Sequence, residues 1–305
     1  MNLSNKSFFA GNMRRREDIR KFWFFDCECK RCSSSTELNS YMSAVTCFAC
    51  KRGFLLPIAA LEYKSDWQCD HCHNIVPYDL VNEVISTIEY QVLLGKIVVE
   101  VAWLRAISFR FLSVWLDQIY SKTMRFFRLI KLNKLQVGVI ETGDINHLEE
   151  MLYHFSSLLH PNHYIIIDIM HNLVHLYAAK PNLSRPEKER KIQLCVTVLE
   201  TLVKIDPGFT KWRGTLLQEM IHTVMMVSKE DYASKRITTR EFHKRLSMCA
   251  RKLEEAKKCL LEGFTSQKHQ TKESRPRMDW HLPHFISSYI QAYPSLLKRI
   301  KSKGF

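Results

Sequence analysis

The sequence predicts a mainly α-helical chain with one small cysteine-rich ribbon near its N-terminal end, and two observations carry that reading. The first is a concentration of cysteine. Seven of the ten fall between Cys27 and Cys72, as Cys27-Glu28-Cys29-Lys30-Arg31-Cys32, Cys47-Phe48-Ala49-Cys50 and Cys69-Asp70-His71-Cys72. The second is a series of five segments after residue 143 in which apolar residues recur every three or four positions, the period of a helix with one buried face. The length of 305 residues allows about two domains, and 46% apolar with 25% charged residues is the composition of an ordinary globular chain.

The two CxxC knuckles, Cys47/Cys50 and Cys69/Cys72, are separated by 18 residues. That spacing lets four thiolates converge on one tetrahedral zinc ion. Apolar residues flank each knuckle where short strands are needed: Ala44-Val45 and Phe54-Leu55-Leu56 around the first, Trp67 before the second. A disulfide framework is disfavoured, because residues 1–12 show no charged leader followed by an apolar run. For the same reason neither a signal peptide nor an anchor is expected, and the chain is placed in the cytoplasm, the nucleus or both. The earlier cluster, Cys27, Cys29 and Cys32, supplies three thiolates where a closed zinc site takes four. The remaining cysteines, Cys195, Cys249 and Cys259, lie on helical patterns and are expected to act as small buried hydrophobes.

Around the ribbon, a short helix is expected from Arg14 through Trp23, with Ile19, Phe22 and Trp23 at helical spacing and Arg14-Arg15-Arg16 on an exposed face. Past the second knuckle, Pro77 and Asp79 mark the start of a helix carrying Leu80, Val81, Val84, Ile85, Ile88 and Val92. Residues 95–137 hold a basic, aromatic run. From Lys96 to Leu135 eight basic residues stand against two acidic ones, net +6, and Glu100, Arg105, Arg110 and Asp117 interrupt every window of roughly 20 apolar residues that a membrane span needs.

The five helices that follow are expected in order. The first is capped by Asp144, with Ile145, Leu148, Met151, Leu152, Phe155, Leu158 and Leu159 inward. The second runs from about His163 to Ala178, after a turn at His160-Pro161-Asn162. Ser184 caps the third, through Leu202. A fourth uses Leu216, Leu217, Met220, Ile221 and Val224, and a fifth opens on the capping-box pattern Thr238-Thr239-Arg240-Glu241 and continues to Leu261. His160, His163, His171 and His175 invite a metal reading. Without an HExxH carboxylate they are assigned as solvated or core-edge histidines. A polar, basic linker from Gln267 and a last short helix, His284 to Tyr293, complete the chain.

A resemblance enters at Arg15-Arg16-Glu17-Asp18-Ile19-Arg20 followed by Phe24-Phe25-Asp26-Cys27-Glu28-Cys29-Lys30-Arg31-Cys32. This run resembles the post-SET segment of SET and MYND domain (Smyd-type) protein lysine methyltransferases. Thr36-Glu37-Leu38, the paired knuckles, Leu55-Leu56-Pro57, Trp67-Gln68-Cys69 and Leu158-Leu159-His160-Pro161-Asn162-His163-Tyr164 resemble the arthropod branch of that family. The resemblance implies that Cys27, Cys29 and Cys32 share a zinc with a cysteine from the SET domain. It also implies that Phe25 stacks near S-adenosylmethionine, that Trp23 stands in a substrate-channel position, and that the helices form a tetratricopeptide-like stack. The MYND finger, the cofactor-binding loops and the fourth cysteine are expected upstream of residue 1, and the family's catalytic tyrosine position falls on Asn5.

The organisation expected is therefore a SET remnant and post-SET segment (1–32), a zinc ribbon with its exit helix (33–94), a basic apolar insertion (95–140), a helical array (141–265) and a basic linker with a terminal helix (266–305). Two functional readings follow. One is the C-terminal part of a Smyd-type S-adenosylmethionine-dependent protein-lysine N-methyltransferase, inactive as this chain. The other is a non-catalytic zinc-binding module for protein interaction. With 45 basic against 31 acidic residues, the expected partners are acidic protein segments, and nucleic acid and membrane are disfavoured.

Overall fold

In this computed structural model the structure describes residues 10–107, 145–205, 208 and 210–268, with side chains to residue 93 and again from 145 to 261. All packing described here lies within the unit spanning Met1–Gly263. The chain enters through α1 (Asn12–Trp23), whose N-cap is Gly11. A side-chain carbon at Gly11 would stand 2.6 Å from Ser43 Oγ, so the close approach of α1 to the ribbon requires glycine there. Phe24 ends the helix in a left-handed conformation, φ 57°, its N–H bonded to Arg20 O. That reversal turns the chain into the first cysteine cluster.

Four short strands follow: β1 (Val45–Thr46), β2 (Phe54–Pro57), β3 (Trp67–Cys69) and β4 (Ile75–Val76). They form one antiparallel sheet in chain order. Side chains alternate across a strand, and the register sets Val45, Leu55 and Cys69 in one buried row, with Trp67 and Val76 buried beside it. The fourth strand carries only Ile75 and Val76, too short a run to show alternation in the sequence.

From the sheet the chain passes into α2 (Tyr78–Ile107). This helix runs beyond the expected exit point near residue 94 into the basic run, because nothing from Lys96 to Ile107 breaks a helix. The remainder of the 95–137 reading, the proposed terminal helix and Asn5 lie outside the described residues. Then come α3 (Ile145–Ser156), α4 (Tyr164–Ala179), α5 (Arg185–Ile205), α6 (Lys211–Ala233) and α7 (Thr239–Lys268). Among the described residues the fold is thus mainly helical with one small sheet. Caps match the residue types: Thr210 accepts from Arg213 N at 3.4 Å and Thr238 from Glu241 N at 3.2 Å. Glu187 returns to Ser184 N at 2.8 Å in a capping box.

Consecutive helices from α3 to α6 pack on one another. At Gly214 of α6 an added side-chain carbon would meet Leu260 of α7 at 2.9 Å, so these two helices approach closely. One apolar core runs without interruption from Val45, Leu55 and Trp67 through Val81 and Ile85 to Leu152, Ile166, Leu194, Leu216 and Cys259. Cys195, Cys249 and Cys259 are buried within it, as expected of thiols acting as hydrophobes.

The joint between sheet and helices corrects one assignment. Leu158 and Leu159 do not continue α3. Thr46 N donates to Leu158 O at 2.9 Å, His160 N to Ala44 O at 3.0 Å and Tyr164 N to Met42 O at 2.9 Å, with Leu159 bridging Val45. The edge of β1 needs backbone partners, and this segment supplies them. His160 stacks on Tyr41 at 4.8 Å and meets Phe54 edge-on at 4.5 Å. His163 caps α4 by accepting from Ile165 N at 3.3 Å. His160, half-buried, is the core-edge histidine expected, whereas His163 is fully buried.

Candidate metal centres

Each CxxC knuckle is the same turn. Lys51 N bonds Cys47 O and His73 N bonds Cys69 O, both at 3.1 Å, and Lys51 (φ 56°) and His73 (φ 57°) are both left-handed. The turns bring Cys47, Cys50, Cys69 and Cys72 together, every sulfur within 4.8 Å of the others. Cys47 Sγ lies 3.7 Å from Cys72 Sγ, and Cys50 Sγ lies 3.8 Å from Cys69 Sγ. Four sulfurs about 2.3 Å from one tetrahedral zinc are separated by about 3.8 Å. The donor set and its spacing therefore fit zinc.

Backbone N–H groups complete the cradle. Gly53 N points to Cys50 Sγ, and His71 N and Cys72 N point to Cys69 Sγ, each at 3.4 Å. Such bonds favour the thiolate form of a ligand. The N–H groups of Gly53 and Arg52 pull the Cys50 thiol down to about 6. At Cys72 the Asn74 N–H acts in the same direction, yet burial and the sulfurs of Cys69, Cys50 and Cys47 together raise it to about 12. Four thiolates this close repel one another, and a divalent cation is what lets all four ionise.

The second cluster gathers Cys27, Cys29 and Cys32, also within 4.8 Å of one another. Among the described residues no fourth histidine, cysteine or carboxylate joins it. Cys29 is exposed and Cys32 fully buried. Burial pushes the Cys32 thiol up to about 11, against the pull of Arg15, whose Nη2 lies 3.5 Å from the sulfur. Beside the cluster Phe22, Trp23, Phe24 and Phe25 are exposed by 64, 45, 88 and 37%. Four consecutive aromatics thus face solvent beside the cluster. Trp23 and Phe25 stand on this open edge. A small cleft between α1 and the sheet is lined by Asn12, Arg16, Tyr63 and Trp67 among others, and by neither of them.

Under the cluster lies a charged network that the sequence does not announce. Glu37, fully buried, accepts from Arg15 Nη1 at 2.8 Å, Arg31 Nε at 3.1 Å and Asn12 N at 2.9 Å, and from the Ser43 hydroxyl. Asn12 Nδ2 reaches Cys32 O at 3.0 Å and Ala60 O at 3.1 Å. Glu37, Leu38 and Asn39 all have positive φ, between 50° and 60°, and this turn aims the carboxylate inward. Burial opposes ionisation of Glu37, but Arg15 and then Arg31 hold it below the usual carboxylate range. The expected exposed face of Arg14-Arg15-Arg16 is corrected here. Arg15 and Arg16 are 3 and 9% exposed, and Arg14 binds both oxygens of Glu89 on α2 at 3.1 Å. The partners that bury them are distant, Glu37 at 22 positions from Arg15, the Ala60 carbonyl at 44 from Arg16 and Glu89 at 75 from Arg14, so the local pattern shows only a basic helix.

Set against known proteins, the chain matches no family model. It is similar to a SET domain-containing protein of Drosophila melanogaster, SmydA-8. With isoform A it shares 34% identity over 70 residues, 22% of this chain and 15% of that protein. With isoform B it shares 38% over 56 residues, 18% of this chain and 12% of the relative. The similarity supports a relationship to a SET-domain protein, across a stretch that spans about an eighth to a seventh of the curated relatives' length.

Proposed function

We propose that this chain is the post-SET, zinc-ribbon and helical-array portion of a Smyd-type protein, and that by itself it binds zinc and protein without catalysing methyl transfer. The observation that carries the reading is the three-sulfur cluster of Cys27, Cys29 and Cys32 standing open beside the exposed Phe22–Phe25 edge. A closed zinc site takes four ligands, and an exposed apolar edge next to an incomplete one is the surface on which a SET body supplying a further thiolate would seat. In that assembly Phe25 and Trp23 form one wall of the S-adenosylmethionine and lysine site, and methyl transfer to protein lysine belongs to the assembled protein. Zinc at Cys47, Cys50, Cys69 and Cys72 is structural, since four thiolates leave no position for water or substrate. The helices α3 to α7 form the tetratricopeptide-like stack of the reading, whose open face takes an acidic protein segment.

Four basic residues of α7, Lys244, Arg245, Arg251 and Lys252, divide into two groups. Arg245 is held by Asp231 at 3.0 Å and by Glu241 at 3.3 Å, and Lys252 by Glu255 at 2.9 Å. Lys244 and Arg251 are exposed on α7, and in this proposal they carry the recognition.

Metal analysis and calorimetry test the reading. The purified chain should keep one zinc through dialysis against a chelator and lose any second equivalent. It should take up no S-adenosylmethionine and methylate no histone. Methylation that disappears on Phe25→Ala would overturn the non-catalytic reading, and a second zinc held as tightly as the first would overturn the open-cluster reading.

A further inference from the structure

We propose that His171 and His175 form a bidentate site for a first-row transition metal of the nickel and copper kind, on α4 and distinct from the cysteine clusters. The two residues stand one helical turn apart, and their Nε2 atoms are 3.0 Å from each other. That separation is within the span of two ligands on one ion. Two nitrogens about 2.1 Å from one ion lie about 3.0 Å apart when they subtend 90°, and about 3.4 Å apart at the tetrahedral angle. The two nitrogens are therefore already close enough to bind one ion together. Imidazole suits zinc as well as nickel and copper, but at a given site affinity rises through nickel to copper, whereas thiolate ligands such as the cysteine clusters select zinc.

The surroundings hold the pair in place. The His171 ring stacks on Trp212 of α6, centroids 3.9 Å apart and planes at 13°, while His175 meets His171 edge-on at 84°. His175 is exposed, so an ion reaches the site from solvent and keeps its other positions for water or for a donor on a partner. Nearby, Lys191 is paired with Glu219 at 2.7 Å, and a paired lysine repels an incoming cation little. In the metal-free protein the 3.0 Å contact is an N–H···N hydrogen bond, so ion and proton compete for the same two lone pairs.

Nickel(II) chloride titrated into the full chain, without a histidine tag and with its cysteine sites filled by zinc, tests the proposal. Calorimetry should show one saturable equivalent, accompanied by quenching of tryptophan fluorescence from the neighbouring Trp212. His175→Gln and His171→Gln should each abolish the step without changing zinc content. Because His175 lies on the surface, its variant keeps the fold, which its thermal transition checks. Trp212→Phe should keep the heat of binding and lose the quenching. A step that persists in His175→Gln, or no step in the unaltered chain, would overturn the proposal.

Discussion

Removing the Glu37 side chain is the perturbation whose cost follows most directly from the structure. Glu37→Ala leaves Arg15 and Arg31, 3 and 7% exposed, without their shared carboxylate. Breaking a buried pair by deleting one partner costs about 3–5 kcal/mol, because a charge stays buried and uncompensated. The Ser43 hydroxyl loses an acceptor too, while the Asn12 N–H keeps Ser43 Oγ at 2.7 Å, and with the unmet desolvation of that hydroxyl the total becomes about 4–6 kcal/mol. That is a large share of the roughly 5–15 kcal/mol of a typical domain. Glu37→Gln keeps an acceptor oxygen and should cost less. The folded-state carboxyl is held below its ordinary value, so its stabilisation is complete above the unfolded value and is lost as pH falls through the folded one. The gap between wild type and variant should therefore narrow in acid. Urea unfolding at pH 7 with zinc in excess, followed by tryptophan fluorescence, measures it. A difference under about 1 kcal/mol, the range of an exposed ion pair, would refute the buried-network argument.

Three further outcomes are expected. Cys47→Ser combined with Cys69→Ser should abolish the retained zinc and unfold the sheet, since a structural zinc contributes on the order of 10 kcal/mol; metal analysis and circular dichroism report both. Gly53→Ala should release zinc without touching a ligand, because its new carbon would stand 2.5 Å from His71 Cβ and 2.7 Å from Cys69 Sγ; unchanged zinc content would refute the tight-knuckle geometry. His163, completely buried, is held down to about 3 by burial and then by His160, so its stabilising effect is full above about pH 6.5 and falls away below it. His163→Asn keeps a capping acceptor, and wild type should lose about 2 kcal/mol more than this variant between pH 7 and pH 5, at roughly 1.4 kcal/mol per unit below the unfolded value. Paired denaturation curves at the two pH values check it. No helix among the described residues is long and apolar enough to cross a membrane.

What the sequence determined by itself was whatever depends on short spacings. The four ligands Cys47, Cys50, Cys69 and Cys72 are legible because a knuckle is a local turn, and three strands are legible from the residues flanking it. The helices are legible because apolar periodicity and caps such as Thr210 and Thr238 act within one turn. Tertiary structure decided the rest, because the partners come from distant positions. Arg15 reads as surface until Glu37 is folded against it. Leu158 and Leu159 read as helix until the open edge of β1, 113 positions upstream of Leu158 at Val45, takes their backbone groups. His171 and His175 read as solvated until Trp212 on another helix fixes the ring that sets their separation. In each case a long-range contact supplies a hydrogen bond, a charge or a packing surface that no local window contains.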